Sequence, residues 1–179
     1  MPRFNFYNTL AFSILIACFS GCKENKEELQ QVYNNYRFDN AVIQKLPLYD
    51  SLVIAIQRNQ HILIQYSAQE GGTNGFRYMP LSTDAEVYKK LPPEVDGSIG
   101  AAYKLLSEKY IAGFDLFPDS SIRVYIRRTD MPKSTINIDE YLSFFPSGKN
   151  IRRRVFPEKD TILKPNWQYW ARINDEGIF

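Results

Sequence analysis

Apolar residues in the first half of the chain recur with the period of amphipathic helices. One helix is predicted from Glu24 to about Lys45. Pro47 is well placed as the first residue of a second helix, whose apolar stripe continues towards Tyr66. The short connection predicts that these two helices pack as an antiparallel pair. A further helix is predicted from Ile99 to Tyr110.

After Tyr110 the apolar period changes from 3.6 to 2, which is typical of strands. Two alternating runs flank the turn at 118–120 and predict a β-hairpin. A third strand is predicted over 135–138, and a last strand over 167–173 carries aromatic residues on both faces. Helices followed by strands predict an α+β fold, with N-terminal helices packed on a C-terminal antiparallel β-sheet.

The first 22 residues follow a different pattern. Arg3 precedes the apolar run Leu10–Phe19, which leads into Cys22, and the chain turns polar at Lys23. A membrane-spanning helix needs about 20 apolar residues, so this run is too short to span. A basic start, a short apolar centre and small residues before the end indicate an export signal.

Residues 1–22 resemble the signal peptides of bacterial lipoproteins, which end in a short box closed by a lipidated cysteine. Phe19-Ser20-Gly21-Cys22 carries the small residues of that box, with Phe where Leu is usual, whereas Leu15-Ile16-Ala17-Cys18 matches it more closely. We favour Cys22, because cleavage before Cys18 would leave an apolar Phe19 and a second thiol in the mature protein. The alternatives are an ordinary secretory signal or two unmodified cysteines.

The resemblance implies a signal peptide over 1–21, with lipid attachment and a tether over 22–28. Chain length and the periodic pattern, not the resemblance, predict a single globular α+β domain over 29–179. The resemblance also implies a diacylglycerol thioether at the cysteine and palmitate-type acyl chains. Lys23 in the next position resembles the pattern sent to the outer membrane, with the periplasmic and surface faces both open. Glu24, Glu27 and Glu28 resemble a surface-export signal weakly and otherwise form a solvated tether or a first helical turn.

Charge excludes one class of partner. Removal of 21 residues from 179 leaves 158, and only Arg3 of the 22 Lys and Arg leaves with them. The remaining 21 basic residues face 20 Asp and Glu, so the mature chain is nearly neutral. This balance gives no electrostatic basis for nucleic-acid binding. The partners expected are the membrane, through the covalent lipid, and an envelope protein or glycan.

Candidate catalytic chemistry is sparse in this sequence. The single histidine, His61, has no carboxylate or cysteine three or four residues away, so no metal site and no cofactor are predicted. No nucleophile elbow or glycine-rich phosphate loop occurs. The carboxylate pairs Asp115/Asp119 and Asp139/Glu140 are available for glycoside hydrolysis, but sequence does not establish their separation in space. No catalytic residue is therefore assigned.

Two features suggest recognition. Arg152, Arg153 and Arg154, with Arg123, Arg127 and Arg128 on the predicted hairpin, form a candidate patch for phosphate, sulfate or an acidic glycan. The alternative is a solvated surface whose arginines pair with acids such as Glu158 and Asp160. Trp170 alternates with core positions, so it either presents a stacking surface for a sugar or protein or belongs to the core.

These patterns predict a lipid-anchored protein of the bacterial envelope that acts as a non-catalytic binding or structural module. A small envelope hydrolase acting on a glycan or peptide is the first alternative. An immunity-type lipoprotein that masks a toxin is the second. A cleft in which acids meet the segment 152–154 would favour the hydrolase, whereas a flat aromatic face would favour binding.

Overall fold

The computed structural model describes residues 26–71, 75–84, 87–148 and 151–176. Both cysteines and the region that resembles a signal peptide lie outside these residues. The fold is α+β, with helices before a six-stranded antiparallel sheet, and this confirms the predicted class. The helices are α1 (26–35), α2 (Asn40–Gln44), α3 (Leu46–Arg58), α4 (Gln60–Gln69), α5 (Pro93–Val95) and α6 (Ala101–Lys104), with a π-helical turn at Asp96–Gly100. The strands are β1 (Phe76–Tyr78), β2 (Gly113–Leu116), β3 (Ile122–Asp130), β4 (Ile136–Phe144), β5 (Glu158–Lys164) and β6 (Trp167–Asp175).

The strands are ordered β1-β2-β3-β4-β6-β5, and every neighbouring pair is antiparallel. The predicted hairpin is confirmed as β2 and β3, with Phe114 paired to Val124. The predicted strands near Thr135 and Trp167 are confirmed as β4 and β6, both longer than their patterns indicate. Strands β1 and β5, at the two edges of the sheet, were not predicted. Strand β1 has only three residues and β5 is charged, so neither shows a clear alternation of apolar and polar residues.

Polar side chains break the predicted helices into shorter pieces. Asp39 adopts an extended backbone and accepts a hydrogen bond from Ala41 N at 2.8 Å, so it caps α2 and ends the predicted continuous helix. Asn59 separates α3 from α4, donating to the carbonyl of Ala55 at 2.8 Å. Pro47 lies in the first turn of α3, where its missing N–H costs nothing.

The core lies between the helices and one face of the sheet. Tyr49 and Trp167 are fully buried there, and the indole of Trp167 donates to Asp50 at 2.8 Å. A second cluster forms where α1 packs over the far ends of β4 and β6, against Ile138 and Ile173. Helix α1 therefore buries its apolar side on the sheet, which corrects the predicted antiparallel pairing with α3. Among the described residues, no helix combines the length and the apolar character that crossing a bilayer requires.

Candidate anion-binding cavity

The sheet face opposite the helices, here called the open face, carries alternating charged and aromatic residues. Ladder register aligns Asp115, Arg123, Ser143 and Gln168 in one row across β2, β3, β4 and β6. A second row aligns Tyr125, Tyr141, Trp170 and Asp160. Because alternate strand residues point to one face, these rows form a continuous polar and aromatic surface.

A cavity of about 790 Å³ opens on this face. One wall is the β2–β3 turn, and the other is the segment 151–157, here called the arm, which precedes β5. The cavity is lined by arginines from the arm and the sheet together with apolar rim residues. The arginines are Arg123, Arg152, Arg153, Arg154 and Arg172, and the apolar residues include Phe117, Phe145, Val155 and Phe156. The structure thus brings all three predicted arm arginines and Arg123 to one concave site.

Two open-face side chains fix the backbone of the arm. Gln168 donates from Nε2 to the carbonyl of Arg152 at 2.7 Å and to Asp160 Oδ2 at 3.1 Å. Asp160 Oδ1 accepts from Arg154 N at 3.0 Å, and its Oδ2 accepts from Arg153 Nη1 at 3.0 Å. Gln168 on β6 and Asp160 on β5 lie in neighbouring register rows, so the pairing of these two strands positions the arm.

Trp170 lies on the open face, as its alternation predicts, but it is only 4% exposed. The guanidinium of Arg154 covers it, with Cζ 3.5 Å from the ring centroid, and Tyr141 stacks on it at 4.1 Å. Its Nε1 donates to Ser143 Oγ at 2.9 Å. The structure therefore corrects the interpretation of Trp170 as an exposed recognition surface: the ring supports Arg154 and forms part of a covered aromatic layer.

Arg123 is the cavity arginine that β3 contributes. Its guanidinium carbon lies 5.1 Å from the ring centroid of Phe117 and 5.6 Å from that of Trp170, so two rings position it. Its nearest carboxylate oxygen, Asp115 Oδ2, is 3.9 Å from Nη1, which is too long for a hydrogen bond. Within the described chain, Nε of Arg123 and Nε of Arg154 are buried and lack hydrogen-bond acceptors. A buried donor without an acceptor costs free energy.

The other predicted hairpin arginines lie elsewhere. A β-bulge between Tyr125 and Arg127 inserts Ile126 as an unpaired residue, so Arg127 turns to the helix side and pairs with Glu140 at 3.1 Å. Arg128 lies at the far end of β3 and binds Glu176 at 2.6 Å. Neither lines the cavity, which corrects their inclusion in the patch.

Arg172 is a cavity arginine that the predicted patch did not include. Its alternation with Trp170 places it on the same face, but only the pairing of β6 with β5 brings it to Glu158, at 3.7 Å.

The acids near the arm serve as partners for its arginines. Arg154 binds Glu158 at 2.6 Å, and Arg153 binds the nearly buried carboxylate of Asp160. Burial opposes ionisation of Asp160, but hydrogen bonds from Arg154 N, Gln168 and Arg153 outweigh it and hold its pKa below the ordinary value. Hydrogen bonds from the Ser121 hydroxyl and amide lower the pKa of Asp119, at the cavity rim. Both carboxyls are therefore ionised near neutral pH and unsuited to general-acid catalysis.

The predicted carboxylate pairs do not form acid–base pairs on one surface. Asp139 lies on the open face and Glu140 on the helix side of β4, because neighbouring strand residues point to opposite faces. Asp115 is 3% exposed and binds Arg77 at 2.7 Å and the Tyr125 hydroxyl at 2.7 Å, while Asp119 caps its own turn.

His61 is exposed on α4. In the part of the chain that the structure describes, no group of three or more His, Cys, Asp or Glu side chains is placed to hold a metal ion. Comparison of the chain with protein-family models, with curated proteins and with solved structures found no match.

Proposed function

We propose that this protein is a lipid-anchored component of the bacterial envelope whose domain binds an anionic ligand in the arginine-lined cavity. The observation that carries the binding part is Arg123. Its guanidinium lines the cavity between two aromatic rings, with a buried Nε that lacks an acceptor among the described residues and a nearest carboxylate at 3.9 Å. The side chain of Arg123 as a whole is 33% exposed, so an oxyanion in the cavity can pair with its guanidinium.

The charge and lining of the cavity support an anionic ligand with an apolar portion. Arg153 and Arg154 already have carboxylate partners, whereas Arg152 forms no ion pair with any residue that the structure describes. Arg123 and Arg152 therefore carry most of the uncompensated positive charge. The aromatic and aliphatic rim offers contact to a carbon skeleton attached to the anion.

The membrane part of the proposal rests on residues 1–22 and their likeness to lipoprotein signal peptides. Two or three acyl chains on Cys22 would hold the domain at a bilayer almost permanently, since each buried methylene contributes about 0.8 kcal/mol. We place the protein at the outer membrane on the basis of Lys23. Confinement to a surface would raise its effective concentration near ligands and partners there.

The hydrolase remains the second candidate, because Glu158 and Asp160 do meet the arm arginines beside a cleft. Binding is favoured because both acids are used in ion pairs and the pKa of Asp160 is lowered, whereas a general acid needs a raised pKa. An immunity role would use the same open face against a toxin, and no contact in the structure favours it over ligand binding.

Titration calorimetry with inorganic phosphate, sulfate and benzoate tests the binding proposal. Arg123→Gln should weaken binding of the preferred anion by about 1.5–3 kcal/mol, which is about tenfold or more, because it removes a charged hydrogen-bond donor. Arg58→Gln, on the exposed end of α3, is the matched control and should leave affinity unchanged. Equal affinities for the two variants, or no binding of any of the three anions, would argue against the site.

Radiolabelled palmitate tests the anchor separately. Cys22→Ser should abolish palmitate incorporation and leave the precursor unprocessed. Cys18→Ser should incorporate palmitate and be processed like the parent chain. Continued labelling of Cys22→Ser would instead identify Cys18 as the lipidated residue. An intact Met1 on protein from its native host, with both thiols unmodified, would overturn lipidation.

A further inference from the structure

The tip of the arm exposes apolar side chains beside cations. Val155 is 78% exposed and Phe156 is 44% exposed. Arg152 is exposed, and the side chain of Arg153 is 70% exposed. Two large apolar side chains next to two accessible arginines form a small amphipathic projection at the rim of the cavity.

The arm is held in this shape by the sheet. Gln168 and Asp160 fix its backbone at Arg152 and Arg154, and Glu158 N closes a turn by donating to the Val155 carbonyl at 2.8 Å. The exposure of Val155 is thus a property of a fixed loop. A preorganised apolar tip loses little conformational freedom when a partner covers it.

The arm also lies beside the helix that leads back to the lipidated cysteine. Phe156 packs edge-on against Tyr33 of α1, with 5.4 Å between ring centroids. From Tyr33 to Lys26 the helix rises about 10 Å. Covalent geometry limits the four further residues to Cys22 to about 14 Å. The anchor point is therefore within about 25 Å of Tyr33, the residue that Phe156 of the arm contacts.

We propose that the arm is a second, non-covalent membrane contact, which docks on anionic lipid headgroups and orients the cavity towards the bilayer surface. The proposal rests on the lipidation proposed above. Val155 and Phe156 enter the interface, while Arg152 and Arg153 meet lipid phosphates. A short amphipathic tip of this kind binds a membrane marginally alone and firmly when a covalent anchor supplies the second signal.

Charge and size favour a membrane over a protein partner. Basic residues near an anionic bilayer are attracted to its surface potential, and both accessible arginines lie on the same short loop as the apolar tip. Two apolar side chains are a much smaller area than a stable protein interface buries. A second copy of this chain is therefore a less favoured partner for the tip of the arm, and the test below detects such self-association.

Site-directed fluorescence on the lipidated protein tests the docking. Protein purified from bacterial membranes is reconstituted into phosphatidylcholine vesicles with or without 30% phosphatidylglycerol, a composition of about one anionic lipid in three. Val155→Cys carries a thiol-reactive environment-sensitive dye, and doxyl-labelled lipid serves as quencher. Leu105→Cys is the matched control, since Leu105 is 64% exposed but lies at the C-terminal end of α6 in the helical layer and not in the arm. We expect quenching at residue 155 and none at residue 105.

The arginines are tested on the same labelled protein. Arg152→Gln with Arg153→Gln should lower the ratio of docked to undocked arm about 30-fold in anionic vesicles, because each arginine contributes a factor of about five to six. The variant should have little effect in neutral vesicles. Arg58→Gln, outside the arm and the cavity, should match the parent in both.

The outcomes separate this proposal from the one on which it rests. Dye uptake by the parent chain would reveal a free thiol and contradict lipidation at Cys22, and the docking that depends on that anchor would fall with it. Equal quenching at residues 155 and 105, or none at either, would overturn the docking. A signal that depends on protein concentration and not on quencher would assign the tip to self-association and overturn it as well.

Discussion

Glu140 offers the sharpest test of how the helices are joined to the sheet. It is 4% exposed, and it accepts a hydrogen bond from the Tyr169 hydroxyl and one from Arg127 Nη2 at 3.1 Å. Arg127 also binds Asp39, the cap of α2, at 3.0 Å. The carboxylate therefore connects β4, β6 and, through Arg127, the helical layer.

Glu140→Gln keeps the shape of the side chain and removes its charge. The amide oxygen can accept from Tyr169 or from Arg127, and the amide NH₂ must then face the other donor. Removing one partner of a buried ion pair costs about 3–5 kcal/mol. The side chain of Arg127 is 29% exposed and keeps Asp39, so we expect the lower end, about 3 kcal/mol. In a domain of this size that lowers Tm by about 6–12 °C.

Urea unfolding followed by circular dichroism measures this change. Asp130→Asn is the matched control, because Asp130 pairs with Arg128 at 3.0 Å but its side chain is 78% exposed. It should change stability by less than about 0.5 kcal/mol. Tyr169→Phe should cost about 1 kcal/mol alone and less in the Glu140→Gln background. Strict additivity of these two changes, or a Glu140→Gln effect as small as the control, would refute the proposed network.

Three further predictions follow from other parts of the structure. Burial raises the pKa of Asp139 above 3.8, so stability should fall as pH rises through its folded pKa, and Asp139→Asn should flatten that fall from about pH 4 upwards in urea titrations. Asp39→Ala should cost at least about 1 kcal/mol in the same assay, since it removes both the cap of α2 and a partner of Arg127. A fragment from residue 26 onward should unfold in one cooperative transition without detergent; aggregation would contradict a single autonomous domain.

The sequence was most informative where one period ran undisturbed. Alternation identified β2, β3 and β6 because each has one face on an apolar core. Helix boundaries were less predictable, because Asp39 and Asn59 each interrupt a continuous apolar stripe through a local hydrogen bond. Short or charged edge strands such as β5 give no periodic signal, since only their pairing makes them strands.

The candidate site shows the same division. A run of three arginines is visible in the sequence, and so is the alternation that puts Trp170 on the second face. Arg154 covers Trp170 only because the arm follows a particular path. Asp160 and Gln168 fix that path through hydrogen bonds, and the pairing of β5 with β6 brings these two residues together. Long-range register of this kind is not encoded in local spacing.

The unpaired residue in β3 also decides which cation faces the interior. With Ile126 inserted, Arg127 reaches the buried carboxylate of Glu140, and Arg128 remains outside. Pairing of β3 with β4 without the bulge would set Ile126 opposite Glu140 and exchange the two arginines between the sides of the sheet. Deletion of Ile126 would instead restore regular alternation and keep Arg127 opposite Glu140, at the loss of a fully buried side chain. The bulge therefore adds an apolar side chain to the core while Arg127 stays opposite the buried carboxylate.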